Sequence, residues 1–213
     1  MSEKKICPFP FSRIELGSRH NGFVPCCYAW FNDDYYALEP DIKNFENRYE
    51  EIWNSEQAVE LRKSILEGNY KYCKLDRCNK PQVKISELDY LDLEGYETPI
   101  GEKNLEALKK NDPTLTEGPS SISICADLKC NLKCPSCRND YIVKNTPERQ
   151  EMIDSELRYI EANKDTIETI KMSSGGEVLF SKDQRKLLKS LNLFDYPKLD
   201  HVFIITNGLL LTP

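Results

Sequence analysis

The sequence predicts an α/β chain in two units: a small cysteine-bearing α+β segment, then the opening of a parallel strand-helix repeat. Two observations carry that prediction. The nine cysteines fall into two groups, with a cysteine-free span from Asn79 to Ile124 between them. From Ser121 onward, strand-like apolar runs alternate with helix-patterned ones, as in a parallel sheet with crossover helices. The expected boundaries are residues 1–85 for the first unit, a linker with some helix over 86–119, and 120–213 for the second unit.

In the first unit, Asn21-Gly22 between strand-like runs marks a type I′ hairpin, which brings Cys7 into the neighbourhood of Cys26 and Cys27. The stretch WNSEQAVELRKSILEGN then reads as a helix. Asn54 or Ser55 caps it, Ala58, Leu61 and Ile65 form one apolar face, and Gly68 stops it. CKLDRC, Cys73 to Cys78, lies directly beyond. From about Gln82 to Pro119 the pattern weakens to an acidic run, LDYLDLEGYE, and a short amphipathic piece around Leu105 and Leu108.

The second unit reads as strand SISICAD, a cysteine loop, helix PERQEMIDSELRYIEAN, strand TIETIKMSS, helix KDQRKLLKSLN and strand HVFIITNG. Pro147 suits a first helical position behind Thr146, with Ile153, Leu157 and Ile160 on one face. Ser181 with Gln184 makes a capping-box start. A parallel half-sheet apolar on both faces needs covering on both. A sheet that ends with HVFIITNG is therefore expected to leave apolar surface open.

With 213 residues, 39 % of them hydrophobic, the chain can bury a core. A net charge of -6 and a pI near 5.2 argue against sequence-independent nucleic-acid binding, which needs a basic surface, and against a membrane-surface role. No apolar run of about 18 residues occurs, and the opening MSEKKICPFPFSR is charged and proline-broken. The expectation is a cytoplasmic protein. In a reducing compartment, CxxxCxxC and a CC pair point to metal or cluster ligation and oxygen-sensitive chemistry rather than to disulfides.

Three motifs fall at the C-terminal ends of the three strands, the edge where barrel enzymes place their chemistry. These are CNLKCPSC with Cys130, Cys134 and Cys137, SGGE with Ser174, Gly175, Gly176 and Glu177, and TNG with Asn207 and Gly208. Paired glycines let a ligand approach the backbone, and Glu177 offers a carboxylate to a cation. Three thiols are one short of a closed tetrahedral site, so either a fourth ligand lies elsewhere or the site is open.

In this order the motifs resemble the radical S-adenosylmethionine (radical SAM) superfamily, over roughly the first half of its barrel. The resemblance implies a partial (β/α) barrel of about three parallel strands, preceded by a small α+β domain. It implies that Cys130, Cys134 and Cys137 ligate a 4Fe-4S cluster whose fourth iron binds S-adenosyl-L-methionine. Ser174, Gly175, Gly176 and Glu177 would line the methionine end, with Asn207 on the same rim. The implied enzyme reductively cleaves S-adenosylmethionine to a 5′-deoxyadenosyl radical that abstracts a substrate hydrogen.

Cys7, the NG hairpin leading to PCC, the EIWNSEQAVELRKSILEG helix and CKLDRC resemble the SPASM auxiliary-cluster module or its shorter relative Twitch. That likeness implies one auxiliary cluster on Cys7, Cys26, Cys73 and Cys78, with Cys27 the alternative to Cys26. A peptide or protein substrate and an electron donor such as flavodoxin or ferredoxin are implied as partners, and a dimer would supply missing surface. The chain departs from the usual pattern at Ser136, often aromatic in the family, and at Val178, usually proline. Its SPASM-like unit also precedes the barrel instead of following it.

Zinc is the plainer rival at both sites, completed by Cys125 at the triad. The alternative function is a non-catalytic iron-sulfur or zinc protein serving in electron transfer or as a scaffold. Cys125 itself reads as a small buried hydrophobe, and His20 and His201 as surface or packing residues. YAWFNDDYY reads as core or interface, and LDYLDLEGYE as a solvated face.

Overall fold

The computed structural model describes residues 5–17, 23–26, 31–32, 49–78, 83–84, 100–172 and 175–211. The Asn21-Gly22 turn, His20, Cys27, Ser174, the LDYLDLEGYE run and YAWFNDDYY apart from Phe31 and Asn32 lie outside the described residues.

In chain order the elements are β1 (Lys5–Ile6), a 3-10 turn (Phe9–Phe11), β2 (Arg13–Leu16), β3 (Phe23–Val24), α1 (Tyr49–Trp53) and α2 (Glu56–Glu67). They continue with β4 (Val83–Lys84), α3 (Glu102–Lys109), β5 (Ser121–Ile124), α4 (Pro147–Ala162), β6 (Thr169–Met172), α5 (Lys182–Ser190) and β7 (His201–Ile204). Each predicted strand and helix of the second unit is present in shortened form. Thr146 caps α4 and Ser181 caps α5 through their side chains. Ser55, not Asn54, caps α2, and Gly68 ends it in the left-handed region at φ 78°. Asn54 instead donates to the Leu115 carbonyl at 2.6 Å and accepts from its N–H at 2.9 Å.

The main sheet has five strands in the order β3-β2-β5-β6-β7. β2, β5, β6 and β7 are parallel, and β3 runs antiparallel on the β2 edge. Three parallel strands are expected from the sequence, and Arg13–Leu16 supplies a fourth, with Ile14 opposite Ile122. Locally this strand reads only as a hairpin arm, which it also is, Leu16 lying opposite Phe23. A strand has two edges, and its second pairing reaches across about half of the chain. The sheet therefore joins the two cysteine-bearing segments.

The two faces of this sheet differ, where the sequence suggests two apolar ones. In register, Ile14, Ile122, Ile170 and Val202 share one face with Leu16, Ile124, Met172 and Ile204. Most of these enter the hydrophobic core together with Tyr159 and Ile160 of α4 and Leu187 of α5, and Tyr159 stacks on Phe23 at 5.5 Å. The other face carries Arg13, Ser121, Thr169 and His201 beside Glu15, Ser123, Lys171 and Phe203. Arg13 donates to Ser123 Oγ at 2.8 Å and pairs with Glu15 at 3.6 Å.

Residues 100–119, within the stretch 86–119 expected as a linker with some helix, carry α3 and pack on the fold. Leu108 and Asn104 of α3 are buried, and Trp53 Nε1 donates to the Glu117 carbonyl at 2.9 Å. Arg62 of α2 is wholly buried. It donates to the carbonyls of Pro10, Trp53 and Pro113 and to Asn54 Oδ1, with its guanidinium 4.4 Å from the centre of the Trp53 ring. At the opposite side of the sheet, β7 is an edge, and Ile205, Leu209 and Leu211 beyond it are more than half exposed. Among the described residues no helix is long and apolar enough to cross a membrane.

Candidate metal centres

Beyond β5 the chain turns into the cysteine loop under the control of Glu156 from α4, whose Oε1 accepts the N–H groups of Cys125 and Ala126 at 2.9 Å each. Gly17 makes room for this turn. A Cβ there would lie 2.5 Å from Ala126 Cβ and 2.7 Å from Glu156 Oε1, and its φ is +64°. Burial, outweighing those two hydrogen bonds, pushes the Glu156 carboxyl up to about 8. The base of the loop is closed by Cys130 N donating to the Ile142 carbonyl at 2.8 Å.

Cys130 is buried, whereas Cys134 and Cys137 are exposed in one turn, closed by Cys137 N donating to the Cys134 carbonyl at 2.9 Å. Leu132 N donates to Cys130 Sγ at 3.3 Å, and Arg138 Nη2 to Cys137 Sγ at 3.6 Å.

The motif after β6 sits directly on this loop. Glu177 N donates to the Lys129 carbonyl at 2.7 Å. A Cβ on Gly176 would stand 2.4 Å from the Lys129 carbonyl oxygen and 2.7 Å from that of Asp127. Gly176 thus admits the neighbouring backbone of the cysteine loop. Glu177 is engaged by its neighbours as well. Its carboxylate is buried and accepts from Thr206 Oγ1 at 2.7 Å, Leu179 N at 3.0 Å and Asn207 N at 2.7 Å. A buried carboxylate needs such donors, and here they tie two loops together. Asn207 Nδ2 then donates to Asn131 Oδ1, inside the cysteine motif, at 2.9 Å.

The three rim motifs therefore close a ring of hydrogen bonds, from cysteine loop to GGE turn to TNG turn and back. Arg138 adds a strut, donating to the carbonyls of Leu128 and Gly175. Asp127, also buried, accepts from Asn145 Nδ2, Lys129 N and Ser181 Oγ. Sequence reasoning passes over Asn131, Arg138, Thr206 and Asp127. The first three lie in or beside the motifs, and polarity at those positions was the available signal.

In the amino-terminal segment, Cys7 follows β1 and Cys26 follows β3. Cys26 belongs to the main core, and Cys7 and Cys73 pack against it. Cys73 bridges to Phe31, five residues past Cys26, and Cys78 closes the CKLDRC turn by donating its N–H to the Lys74 carbonyl at 2.8 Å. Tyr70 stands among them with φ +50°, unusual for a residue other than glycine, its hydroxyl donating to the Lys5 carbonyl at 3.1 Å. Burial raises the Tyr70 phenol, and the charges of Cys7 and Cys73 raise it further. Burial, helped by Cys78, pushes the Cys73 thiol up to about 11.

Residues 9–79 match SPASM, an iron-sulfur cluster-binding domain. The matched segment carries Cys26, Cys73 and Cys78 and supplies β2, so the SPASM segment pairs directly with the strand that launches the cysteine loop. No curated protein and no solved structure matches the chain. The eight described cysteines are free of disulfides. Among the described residues no three His, Cys, Asp or Glu side chains stand close enough together to hold a metal ion. In donor type, the thiols of the SPASM segment and of the rim suit iron-sulfur ligation.

Proposed function

We propose that the chain is a radical SAM protein, or part of one, with a SPASM-type auxiliary cluster next to the sheet. The ring of hydrogen bonds that ties CNLKCPSC, GGE and TNG at the C-terminal edge of a parallel sheet is the observation that carries this proposal. Three motifs far apart in sequence become one rigid rim. Cys130, Cys134 and Cys137 would hold the SAM-binding 4Fe-4S cluster, and Cys7, Cys73, Cys78 and either Cys26 or Cys27 the auxiliary one. The rim cluster with S-adenosylmethionine, when bound, supplies one-electron cleavage chemistry that ends in removal of a substrate hydrogen.

The chain's own residues have positioning work to do. Glu156 and the Cys130–Ile142 bond set where the cysteine loop leaves the sheet, and Arg138 and Leu132 donate N–H groups to its sulfurs. Gly175, Gly176 and Asn207, with Ser174, would border the cofactor. A peptide or protein is the substrate class this reading implies. A flavodoxin or ferredoxin in the cytoplasm would be the reductant.

Low-temperature electron paramagnetic resonance on the anaerobically reconstituted, dithionite-reduced chain tests the proposal. A cluster signal that shifts with S-adenosylmethionine and disappears when Cys130, Cys134 and Cys137 are all changed to Ala is expected. A chain that binds zinc instead, or a signal indifferent to the cofactor, would leave a non-catalytic metal protein.

A further inference from the structure

Between the cysteine loop and the start of α5 lies a cleft of about 600 Å³, walled by four cations, Lys129, Lys144, Lys182 and Arg185, with Phe180 and Val143 as its apolar part. This concentration of positive charge stands on a chain whose net charge is -6. Lys129 is neutralised by Asp127 and Asp183, each at 3.3 Å. Among the described residues no carboxylate lies within ion-pair distance of Lys144, Lys182 or Arg185. Lys129 is held by its two aspartates and Arg185 by the Leu179 carbonyl, so two of the four cations are fixed in the wall rather than free to splay into solvent.

We propose that this cleft binds the phosphate group of a small molecule. Lysine ammonium groups act as point charges that suit the several oxygens of a phosphate. Arg185 donates to the Leu179 carbonyl through one Nη alone, which leaves its other N–H groups for further phosphate oxygens. The volume suits a ligand of metabolite size, and Phe180 and Val143 give its non-phosphate part an apolar wall. Lys129 and the 143–145 stretch are the two legs of the cysteine loop, so a phosphate bound between them and α5 braces that loop from outside the rim.

Isothermal titration of the full chain with sodium pyrophosphate tests this, with sodium citrate and ionic-strength-matched sodium chloride as comparisons and the Lys144→Ala/Lys182→Ala variant alongside. Both lysines are exposed, so the variant keeps its fold. Saturable one-site binding of pyrophosphate, weakened about tenfold or more in the variant, is expected. Heats reproduced by sodium chloride, equal binding of citrate, or an unchanged affinity in the variant would overturn the assignment. The titration needs neither iron nor S-adenosylmethionine, so its outcome is separable from that of the cluster test.

Discussion

The side-chain amide of Asn207 donates to the side-chain oxygen of Asn131 across 2.9 Å, and its backbone N–H donates to Glu177 at 2.7 Å. One residue after the last parallel strand thereby fastens both other motifs of the rim. Glu177 is the hub of this arrangement, since its buried carboxylate receives Thr206, Leu179 and Asn207 together.

Glu177→Gln turns an acceptor into a donor facing donors. A loss of about 2–3 kcal/mol of stability is expected in urea unfolding. Amide exchange at Leu179 and Asn207 should accelerate more than elsewhere.

The two glycines of the rim should respond unequally to alanine. At Gly176 the added carbon meets backbone of the cysteine loop, whereas at Gly175 it meets only the end of the Leu128 side chain, at 2.7 Å. Gly176→Ala should displace the loop and cost several kcal/mol, of the order seen for overpacking (roughly 1–3) or more. Gly175→Ala should be milder, and thermal melts of both variants check the ranking.

Glu156 should make stability pH-dependent. Its folded carboxyl is raised to about 8 from 4.5, so its stabilising contribution is complete below the unfolded value and is lost as pH rises through about 8. Glu156→Gln keeps an oxygen for the N–H groups of Cys125 and Ala126 and carries no charge. Urea unfolding should therefore show wild type falling relative to this variant between pH 5 and 8.5, by at most about 1.4 kcal/mol per pH unit. A constant difference across that range would contradict the burial of an acid there.

Arg62 should not tolerate Lys. Its guanidinium satisfies carbonyls from three separate segments, and an ammonium cannot reach them all. About 3 kcal/mol of destabilisation is expected for Arg62→Lys in denaturant titration.

On the proposed two-cluster reading, Cys73→Ser and Cys78→Ser in the SPASM segment should each cost the reconstituted chain about half of its iron and leave the resonance of the proposed rim cluster in place. Comparing Cys26→Ser with Cys27→Ser identifies the remaining ligand by the same iron assay.

The sequence by itself determined α2 and the strands and helices of the second unit. Capping groups, helix faces and strand runs are local properties, so Ser55, Thr146, Pro147 and Ser181 announce their helices, and the cysteine spacing announces a thiolate site. Gly68 likewise stops α2 as its lack of a Cβ allows. Only the tertiary structure decided that Arg13–Leu16 would enter the parallel sheet, that one sheet face would be polar, and that Glu177 and Gly176 would contact neighbouring loops. Those outcomes depend on pairings between residues far apart in the chain. A strand's pattern shows that it has edges to satisfy, but a partner that distant leaves no mark on the residues beside it. Arg62 shows the same limit: on its helix it resembles any surface arginine, and only the packed carbonyls of Pro10, Trp53 and Pro113 make it part of the core.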